Sequence, residues 1–215
     1  MNAREVVLVD LGVGNLRSVA RALERADARV TVSSDVDVLR RAPRLVVPGQ
    51  GTFRDCAVAL AGGMGDVLRE RIAAGAPYLG LCLGMQMLFE TSEEAPGARG
   101  LGVFAGSVVR FAPSLTDAET HARLKVPHMG WNEVRGAHPL LPDSAWFYFV
   151  HSFYCVPEDS SITVGTADYG DVFCAAVARD NVFACQFHPE KSQDAGARLI
   201  GQFLAGDRWQ GGSWS

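Results

Sequence analysis

One cysteine, one histidine and one glutamate are set in local contexts that favour chemistry. Cys82 lies in the run Tyr78-Leu-Gly-Leu-Cys-Leu-Gly-Met-Gln86, and His188 and Glu190 follow much later in Gln186-Phe-His-Pro-Glu190. A G-x-C-x-G turn between an apolar strand pattern and an apolar helix pattern lifts a nucleophile above a sheet edge and surrounds it with backbone N–H groups. A free thiol titrates near about 8.5 and attacks well only as thiolate, which a neighbouring imidazole or a helix N-terminus supplies. Residues two apart in an extended segment share a face, so His188 and Glu190 are expected to lie side by side. The carboxylate would then fix the imidazole tautomer and stabilise its charged form. The chemistry expected is acyl transfer through a thioester. Taken singly, each residue has a plainer reading: a small buried thiol, or a histidine at a strand end.

The elements that must position these groups read as alternating strands and helices. Val6–Val9 is a short apolar run of the kind found in strands buried on both faces, and Val30–Val32, Leu45–Val47 and Pro77–Leu81 read as further strands. A stripe at Leu16, Val19, Ala20 and Leu23 and a stretch from Asp66 to Ala74 read as helices, and a further helix follows the Cys82 turn. Alternation with short connections predicts a mainly parallel sheet covered on both sides. From Gly102 the rhythm changes. Val103–Phe111, Val126–Val134, Trp146–Val156, Thr163–Ala167 and Phe173–Gln186 (turning near Asp180) read as antiparallel strands added to the first sheet. Ala112–Arg123 reads as a polar surface loop, and Ser192–Leu204 as a closing helix with Ser192 as its N-cap. The expected class is α/β, a single domain over residues 1–206, with a tail at 207–215 whose role is not readable.

Composition narrows the function classes. The chain has 215 residues, 48% of them hydrophobic, enough for one sizeable core. A net charge of -4 without long Lys/Arg runs argues against nucleic acid as a partner. No run approaches the roughly 18–20 apolar residues of a membrane span, and the start does not read as a secretory signal. Five cysteines (Cys56, Cys82, Cys155, Cys174, Cys185) without C-x-x-C spacing suggest neither a zinc ribbon nor a disulfide framework, as expected of a cytoplasmic enzyme. Gly12-Val-Gly14-Asn15 lacks the third glycine of a dinucleotide fingerprint, Arg17 standing there, so no nucleotide cofactor is expected. The remaining histidines lack metal-ligand spacing, and no metal is assigned.

The order of Cys82 and then His188-x-Glu190 resembles the class I (triad) glutamine amidotransferases. That resemblance implies their flavodoxin-like α/β fold. It also implies that Cys82 attacks the side-chain carboxamide of glutamine, His188 shuttles protons and Glu190 holds the imidazole, releasing glutamate and ammonia without a cofactor. Asp10-Leu-Gly-Val-Gly-Asn15, Val47-Pro-Gly-Gln-Gly51-Thr-Phe, Pro127-His-Met-Gly-Trp131-Asn132 and His188-Pro-Glu-Lys191-Ser extend the likeness from about Val6 to Leu204. Together they resemble the glutaminase subunits of imidazole glycerol phosphate synthase, in histidine biosynthesis. The chain departs from that pattern at Leu11, and at Gln50, where valine is more usual.

The resemblance implies an oxyanion site made by the backbone N–H of Leu83 and by the Gly49-Gln50-Gly51 segment, taken as a strand. Gln86 and Glu94 would hold the substrate glutamine, with Gly51 and the Ser152 and Phe153 backbone as further contacts. Asn15, Trp131, Tyr148 and Lys191 match partner-facing positions. The implied partner is a (β/α)8-barrel cyclase subunit in a heterodimer, converting PRFAR to imidazole glycerol phosphate and AICAR with ammonia passed through a tunnel. Other readings stay open for single residues. Trp131 could be an ordinary buried aromatic, Lys191 a solvated charge, Asn15 a helix cap and Glu94 a solvated helix end. A glutaminase subunit of another synthase, or a non-catalytic assembly subunit of the same fold, are the alternatives for the whole chain.

Overall fold

The structure, a computed structural model, describes residues 4–117 and 119–206. Its first half follows the alternation of the sequence: β1 (Arg4–Val9), α1 (Leu16–Arg25), β2 (Ala28–Ser33), α2 (Val36–Arg40), β3 (Leu45–Val47), α3 (Phe53–Leu60), α4 (Met64–Ala73), β4 (Tyr78–Leu81) and a single-turn α5 (Leu83–Gln86). β3 and β4 are buried along their whole length, as is β1 from Val6 onward, which is why these runs are apolar without alternation. Helix α1 is amphipathic. Val19 and Leu23 face the sheet while Arg17, Arg21 and Glu24 face solvent.

The second half holds β5 (Thr91–Ser92), β6 (Gly106–Arg110), β7 (His128–Gly136), β8 (Ser144–His151), β9 (Phe153–Pro157), β10 (Thr163–Asp168), β11 (Val172–Arg179), β12 (Val182–Cys185) and α6 (Gln193–Ala205). One sheet runs β2-β1-β3-β4-β12-β11-β10-β7-β8. The segment from β2 to β12 is parallel, and β11, β10, β7 and β8 continue it antiparallel. β12 therefore differs from the sequence reading of purely added antiparallel strands. It pairs antiparallel with β11 and parallel with β4, in register Cys185↔Leu81, and so closes the parallel core.

Alternate residues of the central strands feed two apolar layers. Val7, Val9, Val47 and Tyr78 pack with α2, α3 and α4, whereas Val6, Leu8, Leu79 and Leu81 pack with α1 and α6. Each fully buried side chain of this kind stabilises by roughly 1.5–3 kcal/mol. The expected strand Trp146–Val156 is two strands parted at Ser152, because β8 pairs with β7 whereas β9 pairs with β6 and β11. Ser152 holds the switch in place by accepting from Phe111 N–H at 3.1 Å. At Ser192 the expected cap is at the right position but does not cap. Its hydroxyl donates to His188 O at 2.6 Å and accepts from Tyr148 N–H at 3.0 Å, tying the start of α6 to the site. The tail read at 207–215 lies outside the described residues.

Candidate active site

Cys82 closes β4 in a conformation few non-glycine residues adopt, φ +54° and ψ -108°, at a typical cost of about 1–3 kcal/mol. Its N–H still completes the ladder to β12, donating to Cys185 O at 2.8 Å, and its C=O already accepts from Met85 and Gln86. The backbone thus passes directly from strand to helix at Cys82, and the side chain lies on the wall of a cavity. Two glycines make room for this elbow. A Cβ at Gly84 would stand 1.8 Å from Val47 O, and one at Gly49 would stand 2.4 Å from Leu83 Cβ.

β12 delivers the second half of the site. Beyond Cys185 the chain stays extended, Gln186 N–H donating to Ala175 O at 2.8 Å and His188 N–H to Tyr148 O at 2.9 Å. At Pro189 it enters a 3-10 turn through Lys191. Glu190 therefore meets His188 through this turn, and not across the pleat of a strand as the spacing suggested, because the strand has already ended. The contact itself forms, with Nδ1 2.9 Å from Glu190 Oε1 and both side chains buried. A carboxylate only accepts, so Nδ1 carries the proton. Nε2 and Glu190 Oε2 are buried without a conventional hydrogen-bond partner. Burial alone would push the ring toward neutrality. The negative charge of Cys82, then the hydrogen bond and charge of Glu190, oppose it and raise the imidazole to about 10.

Cys82 and His188 line one cavity of about 430 Å³ together with Gln50, Gly51, Leu83, Gln86, Glu94, Ser152 and Phe153. Each expected substrate residue is thus on its wall, with two qualifications. The Gln86 NH2 group is already committed to Phe153 O at 3.1 Å and Gln186 Oε1 at 3.0 Å, leaving its Oε1 for a ligand. Glu94 follows the short strand β5, not a helix, and is half-buried. One of its oxygens accepts from Phe53 N–H at 2.8 Å and the other remains. Gly49, Gln50 and Gly51 form a loop after β3 rather than a strand, since β3 ends at Val47.

The expected partner-facing residues divide into two places. Trp131 is 43% exposed, so it is not a buried aromatic. It meets Tyr148 edge-on across β7 and β8 at 6.2 Å, and Lys191 Nζ lies 5.5 Å from the centre of the Tyr148 ring. Lys191 also reaches the rim of the main cavity. Asn15 does cap α1, accepting from Ser18 N–H at 3.3 Å, and it borders a second, small cavity shared with Gln50, His188 and Glu190. Exposed Met129 and Trp146 widen the apolar face around Trp131, and sequence reading did not single them out. Strand alternation carried the signal, because residues 129, 131 and 133 share a face with 146, 148 and 150.

Sequence reasoning also passed over a buried polar chain. His151 Nδ1 lies 2.8 Å from Phe153 O, which can only accept, so Nδ1 bears the hydrogen and Nε2 the lone pair. His128 Nδ1 donates to that Nε2 at 2.9 Å, and Asn132 Nδ2 donates to His128 Nε2 at 3.3 Å and to Asp168 O at 2.7 Å. Burial holds both rings neutral, pushing His128 down to about 4 and His151 to about 3, where the Phe153 hydrogen bond resists and nearby His128 and His188 add to the fall. Gln186 completes the omissions, its Nε2 3.4 Å from Cys82 Sγ. The spacing of two from His188 could have found it.

The chain matches the family model described as glutamine amidotransferase class-I over residues 7–205. It is 50% identical over 212 residues to the imidazole glycerol phosphate synthase subunit HisH of Methylococcus capsulatus, covering 95% of this chain and 97% of that one. It is likewise 50% identical to the HisH of Deinococcus radiodurans (94% and 93% covered) and 48% identical to HisH 1 of Pseudomonas aeruginosa (95% and 98%). Among solved structures it is similar in fold to a glutamine amidotransferase (TM-score 0.72, 22% identity, 94% and 98% covered). It is similar also to PurLQS from Thermotoga maritima (TM-score 0.73, 18% identity, 94% and 97% covered).

Proposed function

This chain belongs to the class-I glutamine amidotransferase family, and we propose that it frees ammonia from glutamine at Cys82 for use by a synthase partner. The Cys82 thiolate attacks the side-chain carboxamide carbon, and the carbonyl oxygen takes up the negative charge. The Leu83 N–H and the backbone of the Gly49-Gln50 loop are its donors, and losing one such donor typically costs about 100- to 1000-fold. His188 then gives its Nε2 proton to the amide nitrogen, the C–N bond breaks, ammonia leaves and a thioester to Cys82 remains. Water attacks the thioester as His188 takes its proton. Collapse expels the thiolate, and the product carboxyl loses its proton to solvent as glutamate. Glu190 keeps the ring in the productive tautomer throughout. The remaining oxygens of Gln86 and Glu94, with the backbone of Gly51, Ser152 and Phe153, hold the α-amino and α-carboxyl ends.

The observation that carries this reading is a strained cysteine and a histidine, the latter backed by buried Glu190, lining one amino-acid-sized cavity. For the partner we propose the (β/α)8-barrel cyclase subunit of imidazole glycerol phosphate synthase, in a cytoplasmic heterodimer that makes imidazole glycerol phosphate and AICAR from PRFAR. Support comes from relatives of about half-identical sequence that carry the name of that synthase. The apolar face at Trp131 and Tyr148, flanked by Lys191, and the Asn15 end of α1 are its docking surface. The test is synthesis by the mixed subunits, driven by glutamine or by ammonium salts. Cys82→Ala should lose the first and keep the second. Undiminished glutamine turnover by Cys82→Ala would sink the assignment.

A further inference from the structure

Gln186 has no part in the steps above, yet it is 0% exposed and its side chain ends on the reacting sulfur. Which end of a carboxamide is nitrogen has to be settled by its neighbours, and here they leave one solution. The Phe153 carbonyl oxygen only accepts, so the Gln86 atom 3.1 Å from it is the NH2 nitrogen. The second hydrogen of that nitrogen points at the Gln186 terminus 3.0 Å away, which must be the oxygen. The other end of Gln186, 3.4 Å from Cys82 Sγ, is therefore NH2. His151 Nδ1 donates to the same Phe153 oxygen at 2.8 Å, a second bond that holds the reference point of the chain.

We propose that Gln186 is a further catalytic residue whose amide N–H donates to the Cys82 sulfur, with Gln86 as the positioning residue that aims it. Donation to an anion favours the anion. The need for a second donor follows from the proton inventory. His188 must surrender its proton to the departing nitrogen and recover one from water, so it cannot serve the sulfur without interruption. An amide has no proton to lose at working pH. It stands ready both when the thiolate attacks and when the sulfur departs from the thioester. The kinetic consequence rests on the glutaminase reading, whereas the effect on the sulfur does not.

The experiment is alkylation of the full chain by iodoacetamide across pH, followed at the Cys82 peptide by mass spectrometry, beside glutamine turnover. The titratable groups acting with Cys82 are His188 and the buried thiols Cys56, Cys155 and Cys185, and Glu94, His151 and Lys191 line the same cavity. Burial pushes Cys56 up to about 12 and raises Cys155 and Cys185 well above the usual thiol range, so they do not compete for reagent. In Gln186→Met the pH of half-maximal alkylation should rise by about one unit or more, and kcat should fall roughly 10- to 100-fold with KM little changed. Gln186→Glu, which turns an acceptor toward the sulfur, should be worse. Gln86→Met should move the alkylation profile in the same direction by less. An alkylation profile for Gln186→Met that matches the parent overturns the proposal. If the Gln186 variants do not fold, an unmoved profile in Gln86→Met overturns it. A parent that alkylates as expected but never hydrolyses glutamine defeats the glutaminase reading and leaves this inference standing.

Discussion

The paired imidazoles His128 and His151 make acid stability a quantitative test of the fold around the site. Both rings are buried and neutral, and their folded values, about 4 and about 3, lie below the ordinary histidine value of about 6.5. A depressed histidine means that the unfolded chain binds protons first as pH falls. The stability tied to the neutral rings is thus fully present above about pH 7 and is lost between about 6.5 and the folded values. At pH 5 the difference is worth about 2 kcal/mol per ring relative to pH 7.5, or about 4 kcal/mol for the pair. Geometry gives the same sign. A proton on His128 Nε2 would face the Asn132 NH2, which cannot turn away without abandoning Asp168 O. The perturbation is His128→Leu with His151→Leu. It removes both partners of the buried bond together, while Phe153 O keeps Gln86 and Asn132 keeps Asp168. Urea unfolding at pH 5 and 7.5 is the assay. His138, pushed down to about 4 by burial, contributes equally to parent and variant, and so does His188, whose value is raised and changes with pH in the opposite sense, apart from its repulsion of a charged His151, which is already included in the value of about 3. The parent should therefore lose about 4 kcal/mol more than the variant between the two pH values. Equal losses would refute the account of two buried neutral rings.

Glu190→Gln should keep the ring in place but remove the charge that favours the imidazolium, lowering kcat for glutamine less than Cys82→Ala does; a rate equal to the parent's would show that the carboxylate only orients. Trp131→Ala should leave thermal stability nearly unchanged, because the side chain is largely exposed, and should weaken binding of the proposed barrel partner in calorimetric titration by at least about 2 kcal/mol, as for a central aromatic anchor. Gly84→Ala drives a methyl into Val47 O and should destabilise the chain by about 3 kcal/mol or more in denaturant unfolding.

The sequence by itself determined what local pattern can carry. The uninterrupted apolar runs at Val6–Val9, Leu45–Val47 and Tyr78–Leu81 are strands because a strand buried on both faces needs no polar alternation. The glycines around Cys82 mark the elbow because only a residue without a side chain fits 1.8 Å from where the Val47 carbonyl lies. The tertiary structure decided everything that depends on pairing between distant segments. Nothing local says that β12 runs parallel beside β4, yet that pairing brings Gln186 and His188 to a sulfur 104 and 106 positions earlier in the chain. The end of β12 at Cys185 made the His188–Glu190 contact a matter of a 3-10 turn, and the spacing of two was compatible with either geometry. The split of β8 from β9 at Ser152 placed the Phe153 carbonyl where Gln86 and His151 converge, and so set the direction of hydrogen bonds that no residue type specifies alone. Side-chain amides and imidazoles can each donate or accept; only a fixed backbone acceptor, delivered by the sheet, selects one of the two.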